Sequence, residues 1–201
     1  MKNIPEKYTK KFSKDEINSL PLRRYTGPVT LVRTEDELEA ALRALHSEEL
    51  IGFDTETRPT FRKGKMNLPS LIQFAARDMV YLIHLGWVAF SEGIQDVLSS
   101  PHIVKTGVAV RDDIKDLKKL ACFEDAAVVD LGEVARELGM ETHGLRNLAA
   151  NLLEFRISKA AQCSNWSNLE LSRQQISYAA TDAWVSREIH LRMRELGLVS
   201  F

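Results

Sequence analysis

The feature that most constrains the fold is a short apolar run that ends in two acidic residues. Residues 50–53 read Leu-Ile-Gly-Phe, and Asp54 and Glu56 follow them. The run is typical of a buried strand, and side chains two positions apart on a strand share one face. Two carboxylates held together on a rigid strand repel each other and favour a divalent cation with oxygen ligands. A solvated strand end explains an Asp-x-Glu pair about as well, so this segment alone leaves metal binding open.

A second acidic segment requires a choice between Asp112 and Asp113. Ile114, Leu117 and Ala121 form the apolar stripe of a predicted helix. At about 100° per residue, Asp113 lies roughly 50° from the centre of that stripe and Asp112 roughly 150° away. We therefore expect Asp113 to reach a cleft beside the core and Asp112 to cap the helix. The alternative is that both are ordinary first-turn acids favoured by the helix dipole.

The third segment places a phenol and a carboxylate on one turn of helix. Tyr178 and Asp182 are four residues apart, so they are neighbours on one helix face. Ala179 and Ala180 between them are small enough to let the helix approach a sheet closely. A helical tyrosine is more often a packing residue than a catalytic one. The acid one turn later, at the edge that faces the core, makes simple packing the weaker interpretation.

The remaining patterns alternate between strand and helix. Strands are predicted at residues 28–32, 50–56, 70–76, 79–85, 103–110 and 127–130, and Arg77-Asp78 suggests a hairpin between two of them. Helices are predicted after the capping residues Thr34 and Ser172 and at residues 91–98, 112–121, 131–138 and 144–153. Together these patterns predict an α/β fold, a mixed central sheet flanked by helices. We expect residues 1–27, polar and rich in lysine, to be an N-terminal extension and residues 28–201 to form the domain.

Composition limits the classes of function. The chain has 201 residues, 44% of them hydrophobic, which suffices for one domain with a sizeable core. The formal net charge is −1, so phosphate binding would depend on metal ions and local basic loops. Cys122 and Cys163 are far apart and suggest neither a disulfide framework nor a zinc site. We see no signal peptide and no membrane span, and we expect a cytoplasmic protein.

Four segments taken together resemble the motifs of a known enzyme family. They are Phe53-Asp54-Thr55-Glu56, residues 70–74, residues 107–117 and residues 178–182. The set is similar to the three exonuclease motifs of the DnaQ-like 3′–5′ exonucleases, and a tyrosine four residues before the last acid matches their DEDDy branch. The resemblance covers roughly residues 29–196.

The resemblance implies a ribonuclease H-like fold and a hydrolytic site. Asp54, Glu56, Asp113 and Asp182 would bind two Mg²⁺ or Mn²⁺ ions, and the Tyr178 hydroxyl would orient the attacking water. The product would be a nucleoside 5′-monophosphate. The polarity of cleavage, from the 3′ end, comes from the family alone.

Within that branch, two types are weighed against each other. Residues 163–167, Cys-Ser-Asn-Trp-Ser, resemble the Werner-syndrome exonuclease type, as does the basic stretch at residues 62–65. Ribonuclease D usually carries Arg-Pro after that tryptophan, whereas this chain has Asn168-Leu169-Glu170. The ribonuclease D assignment is weakened by that difference.

Candidate substrate contacts lie near two of the motifs. Arg58, Arg62, Lys63 and Lys65 concentrate positive charge after the first motif and could contact phosphates. A solvated basic loop is nearly as good an interpretation. Trp166 could stack on a base, although a packing role is more common for a tryptophan.

The sequence thus predicts a metal-dependent 3′–5′ exonuclease acting on single-stranded or 3′-recessed nucleic acid, with DNA favoured over RNA. A catalytically silent nuclease-fold module that binds nucleic acid or acts as a scaffold is the main alternative. Another ribonuclease H-like enzyme, such as an endonuclease, is a third. The complete set of acids and the tyrosine favour the exonuclease.

Overall fold

A computed structural model describes residues 4–60, 64 and 66–200 of the chain. In this part, six strands form one sheet with the order β1-β4-β3-β2-β5-β6. The strands are β1 (Val29–Val32), β2 (Leu50–Thr57), β3 (Pro69–Ala75), β4 (Val80–His84), β5 (Val104–Gly107) and β6 (Val128–Asp130). Strand β3 runs antiparallel to β2 and β4, whereas β1 with β4, β2 with β5 and β5 with β6 are parallel pairs. The predicted mixed sheet is confirmed.

Seven α-helices accompany the sheet in the described residues. They are α1 (Lys14–Ser19), α2 (Glu35–Leu45), α3 (Glu92–Ser99), α4 (Val110–Leu117), α5 (Leu131–Glu137), α6 (Leu145–Leu153) and α7 (Arg173–Glu195). The predicted capping boxes are present: Thr34 accepts a hydrogen bond from the Glu37 backbone N–H, and Ser172 accepts one from that of Gln175. The predicted hairpin joins β3 and β4, with Ala75 opposite Val80.

The predicted strand at residues 103–110 is too long. Strand β5 ends at Gly107, and Ala109 takes a left-handed conformation with φ 62° and ψ 22°, which turns the chain into α4 at Val110. Val110 is buried in the core, so an apolar residue in the first helical turn resembled the end of a strand. The predicted N-cap role of Asp112 is also wrong. Ala109 occupies the N-cap position, and Asp112 is an exposed first-turn residue.

The two faces of the sheet are covered by different helices. On one face, Phe53 and Phe74 pack with buried residues of α2, α3 and α4. On the other face, the small residues Ala179, Ala180 and Ala183 of α7 pack against side chains of β3 and β4. Burial of apolar area on both faces supplies the main driving force for the fold.

The close approach of α7 to β2 depends on Gly52. A Cβ atom added at this glycine would lie 1.9 Å from the Ala183 carbonyl oxygen and 2.9 Å from its carbonyl carbon. Both are backbone atoms, so no side-chain rotation could relieve the overlap. Glycine is therefore required here for the space it leaves.

Residues 4–27, expected to be an extension over the domain, lie against α6, α7 and the chain between them. The Tyr8 ring is buried in a cluster with α5, α6 and α7, and its hydroxyl accepts a hydrogen bond from Arg192 at 3.0 Å. Further along, the Arg23 backbone N–H donates to the Arg156 carbonyl at 2.9 Å. Across the residues that the structure describes, no helix is both long enough and apolar enough to traverse a bilayer.

We predict that Gly52→Ala destabilises the protein by about 2 kcal/mol or more, because the new methyl group would force β2 and α7 apart. Urea unfolding followed by circular dichroism measures the change. Gly144→Ala is the matched control, since the nearest atom to its added Cβ is 3.8 Å away and its φ is −79°. Equal stability of the two variants would contradict the packing argument.

Candidate active site

Strand β2 and helix α7 bring three carboxylates together. Asp54 and Glu56 project from one face of β2, and Asp182 lies on α7 above it. One oxygen from each can be chosen so that all three lie within 4.8 Å of one another. Glu56 and Asp182 are only 9% and 6% exposed. The two-residue spacing and the predicted approach of the helix thus lead to one cluster of acids.

Asp113 lies beside this cluster and makes a separate contact. The Thr55 hydroxyl donates a hydrogen bond to Asp113 Oδ1 at 2.5 Å. Thr55 points to the opposite face of β2 from its two acidic neighbours, so it links α4 to the strand end. Asp113 is not among the three acids whose oxygens fall within 4.8 Å, yet its charge contributes to the raised pKa of Asp54. Of the two candidates on α4, Asp113 is half-buried at the site and Asp112 is exposed.

Tyr178 lies one helical turn before Asp182 on α7, and both side chains line the same cavity. The centroid of the Tyr178 ring is 5.9 Å from that of the Trp166 ring. Trp166 is fully buried, with 0% exposure, and its indole N–H donates to the Gln162 carbonyl at 3.4 Å. The suggestion that Trp166 stacks on a base is therefore wrong for this structure, because neither ring face is accessible. Trp166 instead supports the Tyr178 ring.

Burial raises the pKa of Asp54, Glu56 and Asp182 and of the adjacent Asp113, and the charges of the other acids in the site raise it further for Asp54 and Glu56. Burial is the largest cause in each case, and the resulting pKa is about 9 for Glu56 and about 7 for Asp182. The pKa of Asp54 also lies well above its usual value, because of burial and then the charges of Asp113, Asp182 and Glu56. The pKa of Asp113 is about 7, although the Thr55 hydrogen bond lowers it. Such a cluster strongly favours a bound cation.

The pKa of Tyr178 is raised in the same environment, by burial first and then by the charges of Asp182, Glu56 and Asp54. Its hydroxyl therefore stays protonated at physiological pH. A neutral hydroxyl can donate one hydrogen bond and accept others, which suits the positioning of a water molecule better than removal of a proton.

A cavity of about 200 Å³ opens onto Tyr178 and Asp182. Sequence reasoning missed several polar residues that line it, namely Arg146, Asn147, Lys159 and Gln162. Lys159 and Gln162 belong to the irregular chain between α6 and α7, where no periodicity predicts the direction of a side chain. The Thr55 contact was missed as well, since a threonine between two acids has no distinctive spacing.

The predicted basic loop is described only in part. Arg58 is exposed directly after β2, and its carbonyl accepts a hydrogen bond from the Asn67 side chain at 2.7 Å. Arg62, Lys63 and Lys65 lie outside the described residues, so their predicted phosphate contacts stay predictions.

Comparison with known proteins agrees with this geometry. A family model described as 3′-5′ exonuclease matches residues 29–197. The mouse (Mus musculus) protein named bifunctional 3′-5′ exonuclease/ATP-dependent helicase WRN is 31% identical over 159 residues, which cover 76% of this chain and 11% of that protein. Ribonuclease D of Gluconacetobacter diazotrophicus is 30% identical over 179 residues, which cover 85% of this chain and 43% of that protein. The chain thus spans less than half the length of either relative. The relatives include both of the types that the sequence resembles, the Werner-syndrome exonuclease and ribonuclease D.

A solved structure gives the same result for the fold. The EXO domain of Nibbler from Aedes aegypti superposes with a TM-score of 0.77 at 27% identity, covering 88% of this chain and 92% of that domain. With a family match over most of the chain and an acidic cluster in the corresponding fold, the chain belongs to the DnaQ-like 3′-5′ exonuclease family.

Proposed function

We propose that this protein is a metal-dependent exonuclease that removes nucleoside 5′-monophosphates from the 3′ end of nucleic acid. The observation that carries the proposal is the approach of the Asp54, Glu56 and Asp182 oxygens to within 4.8 Å. We assign catalysis to residues 28–201, with residues 1–27 as an extension. The substrate would be a single-stranded or 3′-recessed end, with DNA favoured over RNA. The names of the relatives include a ribonuclease, so the choice of nucleic acid is left to the experiment below.

The acidic cluster suits divalent metal ions. Carboxylate oxygens are the ligands that Mg²⁺ and Mn²⁺ prefer. Asp182 Oδ1 is buried without a hydrogen-bond partner among the described residues, and a cation would satisfy it. Asp54, Glu56 and Asp182 would hold the ions, with Asp113 completing the set. Two such ions, when bound, activate a water and stabilise the leaving 3′-oxygen.

The side chains around the cluster have distinct roles in this proposal. The protonated Tyr178 hydroxyl orients the attacking water beside the scissile phosphate. The Thr55 hydroxyl fixes the Asp113 carboxylate by the 2.5 Å hydrogen bond. Lys159 and Arg146, which line the adjoining cavity, supply positive charge near the phosphate. Arg58, Arg62, Lys63 and Lys65 are proposed to contact the strand at the exit of β2.

A reducing compartment such as the cytoplasm agrees with the cysteines. Cys122 and Cys163 are both free and exposed. Exposed thiols persist best where the surroundings keep them reduced.

The first prediction from the proposed function concerns the acids. Asp54→Asn and Asp113→Asn should each lower kcat by at least about 1,000-fold, since each removes charge that the ions require. Matched DNA and RNA oligonucleotides labelled at the 5′ end, single-stranded and 3′-recessed, are incubated with Mg²⁺, Mn²⁺ or EDTA, and shortening is followed on gels. The faster ladder identifies the nucleic acid.

Asp112→Asn is the matched control for those variants, because Asp112 is exposed on the same helix turn as Asp113. It should retain wild-type activity. Full activity in folded Asp54→Asn, or no cleavage by wild type on any substrate, would contradict the proposed function. In the second case the silent binding module becomes the better assignment.

The second prediction concerns the tyrosine. Tyr178→Phe should lower kcat by about 10- to 100-fold while the affinity for the oligonucleotide stays within about twofold, because the hydroxyl acts on the water and not on the strand. Single-turnover rates and fluorescence anisotropy separate the two quantities. Tyr81→Phe on β4 is the control. A parallel loss of affinity and rate would show that the hydroxyl binds substrate instead.

The third prediction follows from the raised pKa values. Between a pKa near 4 for the unfolded acids and about 7 for folded Asp113 and Asp182, the folded state holds protons that the unfolded state has released. Stability of the metal-free protein should therefore fall as pH rises from 5 to 8, by about 2 kcal/mol or more. The decline continues towards pH 9 through Glu56.

Thermal unfolding in EDTA across this pH range measures the effect. Asp54→Asn should flatten the decline and be more stable than wild type at pH 8. Mn²⁺ should restore the stability of wild type and leave the variant nearly unchanged. Stability of the metal-free wild type that rises from pH 5 to 8 would refute the electrostatic account.

A further inference from the structure

A second, larger cavity also opens onto Tyr178. Its volume is about 490 Å³. Leu22, Arg23 and Arg24 of the N-terminal segment form one wall, and Arg173 and Tyr178 of α7 form another. Tyr178 thus lines both this cavity and the smaller one that contains Asp182.

Two further cavities are lined by residues of the same N-terminal segment, 22–27. Their volumes are about 550 and 390 Å³, and Arg24 lines both of them as well as the first. We call these three neighbouring cavities, bordered by Arg23, Arg24 and Arg173, the arginine groove. It leads from the catalytic tyrosine over the surface of α7.

The arginines of this groove carry uncompensated positive charge. All three are exposed, and within the described part of the chain none of their guanidinium groups has a carboxylate partner. By contrast, Arg111 pairs with Glu133 at 2.6 Å elsewhere on the surface. No Asp or Glu among the described residues lines the 490 Å³ cavity. In a chain of net charge −1, this is a local concentration of positive charge that would attract an anion.

The backbone that carries Arg23 and Arg24 is fixed against the domain. The Arg23 N–H donates to the Arg156 carbonyl at 2.9 Å, and the Arg156 N–H donates to the Pro21 carbonyl at 3.0 Å. Directly after Arg24, the Tyr25 N–H donates to Thr181 Oγ1 at 3.1 Å. Thr181 lies on the same turn of α7 as Asp182. The backbone that carries the arginines is therefore held in place beside α7, which lowers the entropy cost of ordering this segment on binding.

The chemistry of the groove suits a nucleic-acid strand. Guanidinium groups bind phosphate oxygens in pairs of hydrogen bonds, whereas exposed apolar surface, here Leu22 at 54% exposure and Ala160, accommodates sugars and base faces. An enzyme that cleaves the terminal nucleotide leaves the rest of the strand on the 5′ side. A groove that leads away from the site can accept that part of the strand.

We propose that the arginine groove binds the backbone phosphates of nucleotides on the 5′ side of the scissile bond, so that the N-terminal segment forms part of the substrate site. The proposal rests on the proposed exonuclease function and adds a subsite to it. Phosphate is common to DNA and RNA, so the test includes both strands.

Binding is measured by fluorescence anisotropy with the full chain carrying Asp54→Asn, which prevents cleavage. Oligonucleotides of two to ten nucleotides, as DNA and as RNA, are titrated at several salt concentrations. Arg23→Ala/Arg24→Ala should weaken binding of the longer strands by about tenfold or more and leave the shortest almost unchanged. The slope of log K against log salt should fall by about 0.7 for each phosphate that the substitutions leave without its arginine. Arg173→Ala should act in the same direction.

Arg43→Ala/Arg194→Ala is the matched control, because it removes the same charge from exposed arginines that line none of these cavities. An equal reduction of affinity in the control, or no reduction in the groove variant, would overturn the proposal. The control variant should bind like the parent protein.

A small substrate separates this proposal from the proposed function. The p-nitrophenyl ester of thymidine 5′-monophosphate has no nucleotide on its 5′ side, so the groove variant with an intact Asp54 should hydrolyse it at the wild-type rate. A large loss of this activity would show that the arginines act in the catalytic site, and would overturn the groove assignment. No hydrolysis of this ester or of any oligonucleotide by wild type would defeat the exonuclease function, whereas anisotropy would still decide the groove.

Discussion

The structure depends on how closely helix α7 approaches strand β2. Gly52 leaves the space for the Ala183 carbonyl, and Ala179 and Ala180 bring the helix axis down onto β3 and β4. Larger side chains at these positions would lift the helix and carry Asp182 away from Asp54 and Glu56. The separation of the acids is therefore set by backbone packing and not by the acids themselves, which repel each other.

That repulsion is a cost that the core must offset. Burial raises the pKa of each acid, and the neighbouring charges add to the effect for Asp54 and Glu56. Enzymes often keep such unfavourable groups in place through a rigid surrounding structure. Here the support comes from both sides of the sheet. On one side, Thr55 of β2 holds Asp113 of α4 by a hydrogen bond, and on the other the buried Trp166 packs against the Tyr178 ring. The N-terminal segment adds a third support through the Tyr25 contact with Thr181.

The parts of the site that sequence could predict are those with a strict period. A two-residue spacing on a strand and a four-residue spacing on a helix predict which side chains share a face, and the helical wheel separated Asp113 from Asp112. Irregular backbone has no such period. The left-handed residue Ala109, the cavity side chains Lys159 and Gln162, and the burial of Trp166 all depend on tertiary contacts. The arginines of the N-terminal segment were missed for the same reason, since a polar stretch far from any motif gives no sign of where it lies.

One consequence of α7 concerns motion. This single helix of 23 residues carries Tyr178 and Asp182 in its first half and buries Ile189 and Met193 with α5 and α6 in its second half. A helix shared by two packed clusters opens only when both of them separate. The amide protons around Asp182 should therefore exchange with solvent as slowly as those of the most deeply buried core residues. We therefore expect the acidic cluster to lie in the most slowly opening part of the molecule, so that adjustment to substrate comes from the loops and the N-terminal segment around it.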